Sequence, residues 1–228
     1  MHSYATTTAG RARSAWPTGI GLLVALGGPP SLAAIGARLS GGIGGLVALQ
    51  LVFCGFAVFI ARLVIRFEHL PLISIGLRPP GSSTVVTAAM LFLAGLLVQA
   101  AVIGPLVELS GRRGADAGMA ILATLPAWFR VLLGATSGVV EEMLYRGYAV
   151  ERLATITGRR WLGAALSTLA FAAAHIPTWG LRFALVADLP AGIVLVVFYL
   201  WRRDLAANML AHSAGIVVAM FTIVPRAV

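Results

Sequence analysis

Apolar residues run in blocks from about residue 17 to residue 224, and no long polar interval separates them. A helix needs about 20 such residues to cross the hydrocarbon core of a bilayer. Seven blocks come close to that length: 17–37, 43–65, 85–106, 128–151, 161–175, 182–200 and 205–224. The pattern predicts an all-α, polytopic transmembrane helical bundle of about seven to eight membrane helices. The first block contains GGPP, which predicts a broken or re-entrant helix, and MAILATLPAW at 119–128 is a candidate short interfacial or eighth segment. Between the second and third blocks lies RFEHLPLISIGLRPPGSST, whose prolines and glycine break a helix and whose LPLISIGL is expected along the interface.

Composition agrees with a chain built for lipid. Of 228 residues, 59% are hydrophobic and 11% charged, against the quarter or so that is charged in a soluble domain. The net charge of +9 comes with basic residues that are all arginine and sit singly or in pairs between the apolar blocks, so it sets orientation rather than marking a nucleic-acid partner. With Arg11 and Arg13 inside, Arg62, Arg66 and Arg78 fall on the same side, then Arg152, Arg159 and Arg160, then Arg202 and Arg203. Arg38, Arg112, Arg113, Arg182 and Arg226 fall opposite. An integral membrane protein with a cytoplasmic N-terminus is expected. Cys54 is the only cysteine and lies within an apolar run, which excludes an intramolecular disulfide and any CxxC metal site.

Three charges stand out against this background. VEEMLYRG sets Glu141, Glu142 and Arg146 in the fourth block, and His175 and His212 lie in later ones. Ionisable groups in a membrane segment are costly enough that function is the first hypothesis. Counting about 1.5 Å per residue from the presumed inner helix ends puts Glu141, His175 and His212 roughly 12 to 20 Å deep, close enough to meet. At helical spacing Glu142 and Arg146 share a face, while Glu141 points about 100 degrees away from Glu142. Glu142 with Arg146 then reads as a brace and Glu141 as a general base. Phe171 and His175 share one face, Asn208 and His212 another. A base, two imidazoles and an amide around one cavity are the parts for activating water, attacking a carbonyl and holding the oxyanion. Taken singly, each has a plainer reading: Glu142 with Arg146 is a structural pair, and a lone helix histidine is usually packed. Trp179, Tyr199 and Trp201 read as interfacial belt residues, and Asp188 and Glu108 as outer-loop acids.

EEMLYRG is similar to an EExxxR motif, FAAAH to FxxxH, and NMLAH to a third histidine motif. Together they resemble the CPBP family, which contains the type II CAAX prenyl endopeptidases and the bacterial Abi bacteriocin-immunity proteins. The resemblance spans residues 128–216, and GLRPP before it is also typical. It implies an intramembrane protease, a membrane peptidase whose core occupies 119–228 behind a polar lead (1–16) and an N-terminal region of membrane helices and linker (17–118). Carried over by position, Glu141, His175 and His212 would be catalytic, supported by Glu142, Arg146 and Asn208. It further implies a peptide or protein substrate in lipid, in the plasma membrane of a prokaryote. A glutamate mechanism without a cofactor is preferred. The metalloprotease label often given to the family would make Glu141, His175 and His212 a zinc set. One departure is Ile216, where the family commonly has Asn or Asp; Asn208, one turn before His212, is expected to supply the amide instead. The departure keeps open a catalytically impaired protein of the same fold that binds a partner, and the membrane carboxylate Glu141 keeps open a small transporter using it as proton carrier. No HExxH, GxSG or GxGD is present.

Overall fold

The structure is a computed structural model, and it describes residues 16–36, 42–110 and 115–222. Arg11, Arg13, Arg38, Arg112, Arg113 and Arg226 lie outside the described residues. No strand occurs among the described residues, and the elements run α1 (Trp16–Gly36), α2 (Gly42–Arg62), α3 (Ser82–Val98), α4 (Gly104–Ser110), α5 (Ala115–Thr124), α6 (Ala127–Glu141), α7 (Val150–Thr157), α8 (Arg160–Phe183), α9 (Leu189–Arg202) and α10 (Leu205–Thr222). Wide π-helical turns continue several of them, at Leu63–Phe67, Gln99–Ile103, Glu142–Ala149 and Ala184–Asp188.

Five stretches among the described residues are long and apolar enough to cross a membrane: Trp16–Gly36, Gly42–Phe67, Ser82–Ser110, Arg160–Arg202 and Leu205–Thr222. Two features separate this number from the seven expected. The expected segments 161–175 and 182–200 belong to one helical run of 43 residues, bent at Gly180, where φ is 82° and ψ 158°, and its halves α8 and α9 pack on each other. The expected segment 128–151 carries the charged residues Arg130, Glu141, Glu142, Arg146 and Glu151, which lower its hydropathy although α6, its π turn and α7 form a continuous helical rod. Residues 119–128 hold the end of the short α5. α1 is continuous through Pro29 and Pro30 rather than broken.

α10 runs down the middle, against α6, α3 and α9. Its crossing with α6 is close because two glycines of GATSG face it. A Cβ on Gly134 would stand 2.8 Å from Val217 Cγ2, and one on Gly138 would overlap the Ser213 backbone nitrogen and stand 2.6 Å from its Cα. Small residues four apart let helix backbones approach where lipid supplies no hydrophobic drive for association. The Ser213 hydroxyl uses the proximity to donate to the Ala135 carbonyl at 2.9 Å. This crossing carries both halves of the site, since Glu141 ends α6 and His212 precedes Ser213.

At one end of the bundle the linker 68–81 is partly packed into the core, with Ile73 left exposed. Ile75 is fully buried in the main core, and Gly76 turns at φ 77° against Tyr199, where a Cβ would meet the phenol oxygen at 2.7 Å. Three ion pairs hold this end. Arg152 grips Glu68, with Nη2 to Oε2 at 2.6 Å, and Tyr148 and Thr18 also donate to Glu68. Arg203 grips Glu151, and Tyr199 donates to the same carboxylate. Arg78 pairs with Asp204 at 3.0 Å, and Asp204 Oδ1 accepts from the Ala207 backbone N–H, so it caps α10. Arg152 and Arg203 both also reach Ser74, one to its hydroxyl and one to its carbonyl. Arginines that the sequence assigned to one side of the membrane therefore meet around one loop. Tyr199, expected on an interfacial belt, is instead fully buried as part of this network, whereas Trp201 is exposed. Burial would push the Glu68 carboxyl up, but the hydrogen bonds and charge of Arg152, with Tyr148 and Thr18, outweigh it and hold it below the usual range. Asp204 is likewise held low against burial by Thr84, Arg78 and the Ala207 N–H.

Candidate active site

The VEEMLYRG segment leaves the α-helical path at Glu142 and runs as a π-helix to Ala149, its last wide turn closed by Val150 N–H on the Tyr145 carbonyl. Such turns are uncommon and frequently occur at functional sites. Every residue of the turn is buried.

Glu142 is fully buried and saturated with partners. Arg146 Nη1 lies 3.1 Å from its Oε1, the His212 Nδ1–H donates to the same oxygen at 2.9 Å, and Asn208 Nδ2 donates to Oε2 at 3.0 Å. A buried carboxylate is tolerable only when paired and hydrogen-bonded on its remaining lone pairs, as here. Arg146 is itself pinned: its guanidinium stacks 4.1 Å over the Phe171 ring, and Nη2 lies 3.4 Å from the Gly192 carbonyl. Gly192 admits that contact, because a Cβ there would press on Phe171, Thr168 and Arg146. Phe171, the aromatic of FAAAH, is thus a platform for the cation and packs against both His175 and His212.

Glu141 is placed differently. Its side chain is 13% exposed and its Oε2 lies 3.8 Å from His212 Nε2, beyond hydrogen-bond range. With Nδ1 donating to Glu142, His212 in its neutral form presents a lone pair on Nε2 toward Glu141. Two acceptors 3.8 Å apart can share the two hydrogens of one water. His175 donates from Nδ1 to the Phe171 carbonyl at 2.8 Å, one turn back, which leaves its Nε2 as the free nitrogen.

The structure brings Glu141, Glu142, Arg146, Asn208 and His212 into one connected group, with His175 across the Phe171 ring. It does not leave Asn208 free for an oxyanion: its amide donates to Glu142 and also to the Leu195 carbonyl at 2.9 Å, and the side chain is buried. Asn208 orients Glu142. Asp188 also departs from expectation. Expected in an outer loop, it ends the π turn Ala184–Asp188 inside the long apolar run, close enough to His175, Glu141 and His212 to act on their charges, and its Oδ2 is buried without a hydrogen-bond partner among the described residues. The signal for Asp188 was an acid beside an apolar block of VADLPAG, which reads like a loop because a π turn has no sequence signature. Zinc fits less well. Among the described residues no three His, Cys, Asp or Glu side chains converge as a metal-holding group, Glu141, His175 and His212 included.

Long apolar helices enclosing a recessed glutamate and histidine site define an integral membrane protein with a polar centre in its helical bundle. Residues 123–217, the stretch that holds every residue of that centre, match the family model of Type II CAAX prenyl endopeptidase Rce1-like proteins, and over that stretch the chain is similar to this family. That family is a peptidase family. No curated protein and no solved structure matches the chain.

Proposed function

We propose that this chain is an intramembrane endopeptidase in which Glu141 activates the water that attacks a peptide bond. The observation that carries the reading is the inequality of the two adjacent carboxylates: Glu142 is enclosed and fully partnered, while Glu141 is partly open and faces an imidazole nitrogen. One water would donate one hydrogen to Glu141 and the other to His212 Nε2, which aims its oxygen lone pair at a carbonyl between them. Glu141 takes the proton as the oxygen bonds to the carbonyl carbon, and returns it to the departing nitrogen as the C–N bond breaks. His175, with its Nε2 free, would lie along the bound peptide. In this reading the bundle crosses the bilayer seven times, α8 and α9 making two of the passes and the α6–α7 rod another. The N-terminus is cytoplasmic, in a prokaryotic plasma membrane, and the substrate is a membrane-associated peptide or protein of the CAAX-processed kind.

A second reading, a protein of this fold that acts by binding a partner, as in bacteriocin immunity, is favoured by Ile216 and by the commitment of the Asn208 amide. The two separate in a cleavage assay on purified protein in liposomes, with a peptide library that includes prenylated tails. Cleavage lost in His175→Ala and His212→Ala supports the peptidase; a phenotype in cells that survives both substitutions supports the partner-binding protein.

A further inference from the structure

The peptidase reading leaves one requirement unmet: a hydrogen-bond donor for the oxygen that becomes negative when water attacks. The donors around Glu141 are mostly spent. Asn208 gives its amide hydrogens to Glu142 and Leu195, Arg146 Nη2 donates to Gly192 while its Nη1 makes no hydrogen bond and is held by charge against Glu142 at 3.1 Å, and the Nδ1 nitrogens of His175 and His212 serve Phe171 and Glu142. Position 216, one turn beyond His212 on α10, carries no donor at all.

Unlike Arg146 Nη1, the Tyr145 hydroxyl has no opposite charge to hold it. Its residue is 1% exposed, and its hydroxyl is buried with no hydrogen-bond partner among the described residues. A buried hydroxyl without a partner is costly, and native structures retain few of them without a reason. Tyr145 follows Glu141 by four residues and stands close enough for the Glu141 charge to act on its hydroxyl. The ring is also held in place from both sides. Phe171 meets it edge to face with centroids 5.3 Å apart, and the Ser167 hydroxyl donates to the Tyr145 carbonyl at 2.6 Å, which fixes the backbone of the π turn. A rigid, desolvated donor beside the base has the form of a preorganised oxyanion contact, which does not reorganise at the moment of reaction.

We propose that the Tyr145 hydroxyl donates the hydrogen bond that stabilises the oxyanion of the peptide carbonyl attacked at Glu141. The inference rests on the peptidase reading. As the water oxygen bonds to the carbonyl carbon, the C=O electron pair moves onto oxygen and Glu141 takes the water proton. Tyr145 donates a hydrogen bond and keeps its proton. When the C=O re-forms, the C–N bond breaks and Glu141 delivers the proton to nitrogen.

The test is Tyr145→Phe, measured in liposomes with a peptide that the wild type cleaves. Loss of one oxyanion donor lowers kcat by about 10²–10³-fold; KM is expected to change little. Because the hydroxyl has no partner in the resting protein, the thermal midpoint should hold or rise, whereas a structural hydroxyl would lower it. Ile216→Asn in the Tyr145→Phe background supplies a new donor one turn from His212 and is expected to recover part of kcat. If Tyr145→Phe keeps kcat within about twofold while Glu141→Gln abolishes cleavage, the assignment of Tyr145 is wrong and the peptidase reading stands. If Tyr145→Phe does not fold, a wild-type kcat that Ile216→Asn leaves unchanged supports Tyr145 as a sufficient donor, and a rise of tenfold or more overturns it. If the wild type cleaves no member of the library, both fall.

Discussion

Two neighbouring glutamates are treated unequally by the fold, Glu142 enclosed and Glu141 partly open. The sequence places Glu142 and Arg146 four apart and suggests a pair, and the structure pairs them at 3.1 Å although the backbone there is π-helical rather than α-helical. Spacing could not disclose the rest of the enclosure, because Asn208 and His212 come from a helix more than sixty residues away. Nor could it disclose Asp188 or the stranded hydroxyl of Tyr145, whose significance lies in what fails to contact them. The enclosure predicts a large stability cost for opening it. Arg146→Met removes the cation from a carboxylate with no access to water, and breaking one side of such a buried pair typically costs about 3–5 kcal/mol. Thermal unfolding in detergent should show the loss; a midpoint within a degree of wild type would mean that Glu142 does not depend on Arg146.

Among the elements, the decisive contact is the crossing of α6 and α10. GATSG is legible as a small-residue segment, but its partner is not, since a glycine pair says that something approaches closely and not what. The structure answers with Ser213 and Val217, and so sets Glu141 at the end of one helix opposite His212 on the other. Gly138→Ala would drive a methyl into the Ser213 backbone, where no flexible side chain can yield. Overpacking of this kind costs about 1–3 kcal/mol, and here it should also lower kcat by moving His212 away from Glu141. Gly45→Ala, which meets open space, is the control. Equal activity in the two variants would show that the crossing does not set the site. The apolar blocks located most of the remaining helices to within a few residues. They set a boundary between 175 and 182, and the non-helical bend at Gly180 falls there.

Across the whole molecule, the arginine pattern and the fold agree that Arg78, Arg152 and Arg203 share one end, tied through Glu68, Glu151 and Asp204 to the linker and to three helices. This layer carries a pH dependence. Glu68 titrates near 4.5 when unfolded and lower when folded, so the stability it contributes is fully present above that value. It is lost as pH falls through the depressed folded value, and Asp204 acts in the same direction. The thermal midpoint should therefore drop as pH is taken below about 4.5, and Glu68→Gln, already weaker at pH 7, should drop less steeply. Parallel curves for the two proteins would remove Glu68 from the effect. The layer and the buried brace serve one end, which is to let a single carboxylate stay available inside an apolar bundle. The most direct measurement compares Glu141→Gln with Glu142→Gln for both peptide cleavage in liposomes and thermal midpoint. Glu141→Gln is expected to abolish cleavage at a midpoint near wild type, and Glu142→Gln to lower the midpoint by several degrees. Wild-type cleavage by Glu141→Gln, or an equal loss of stability in both variants, would contradict this expectation.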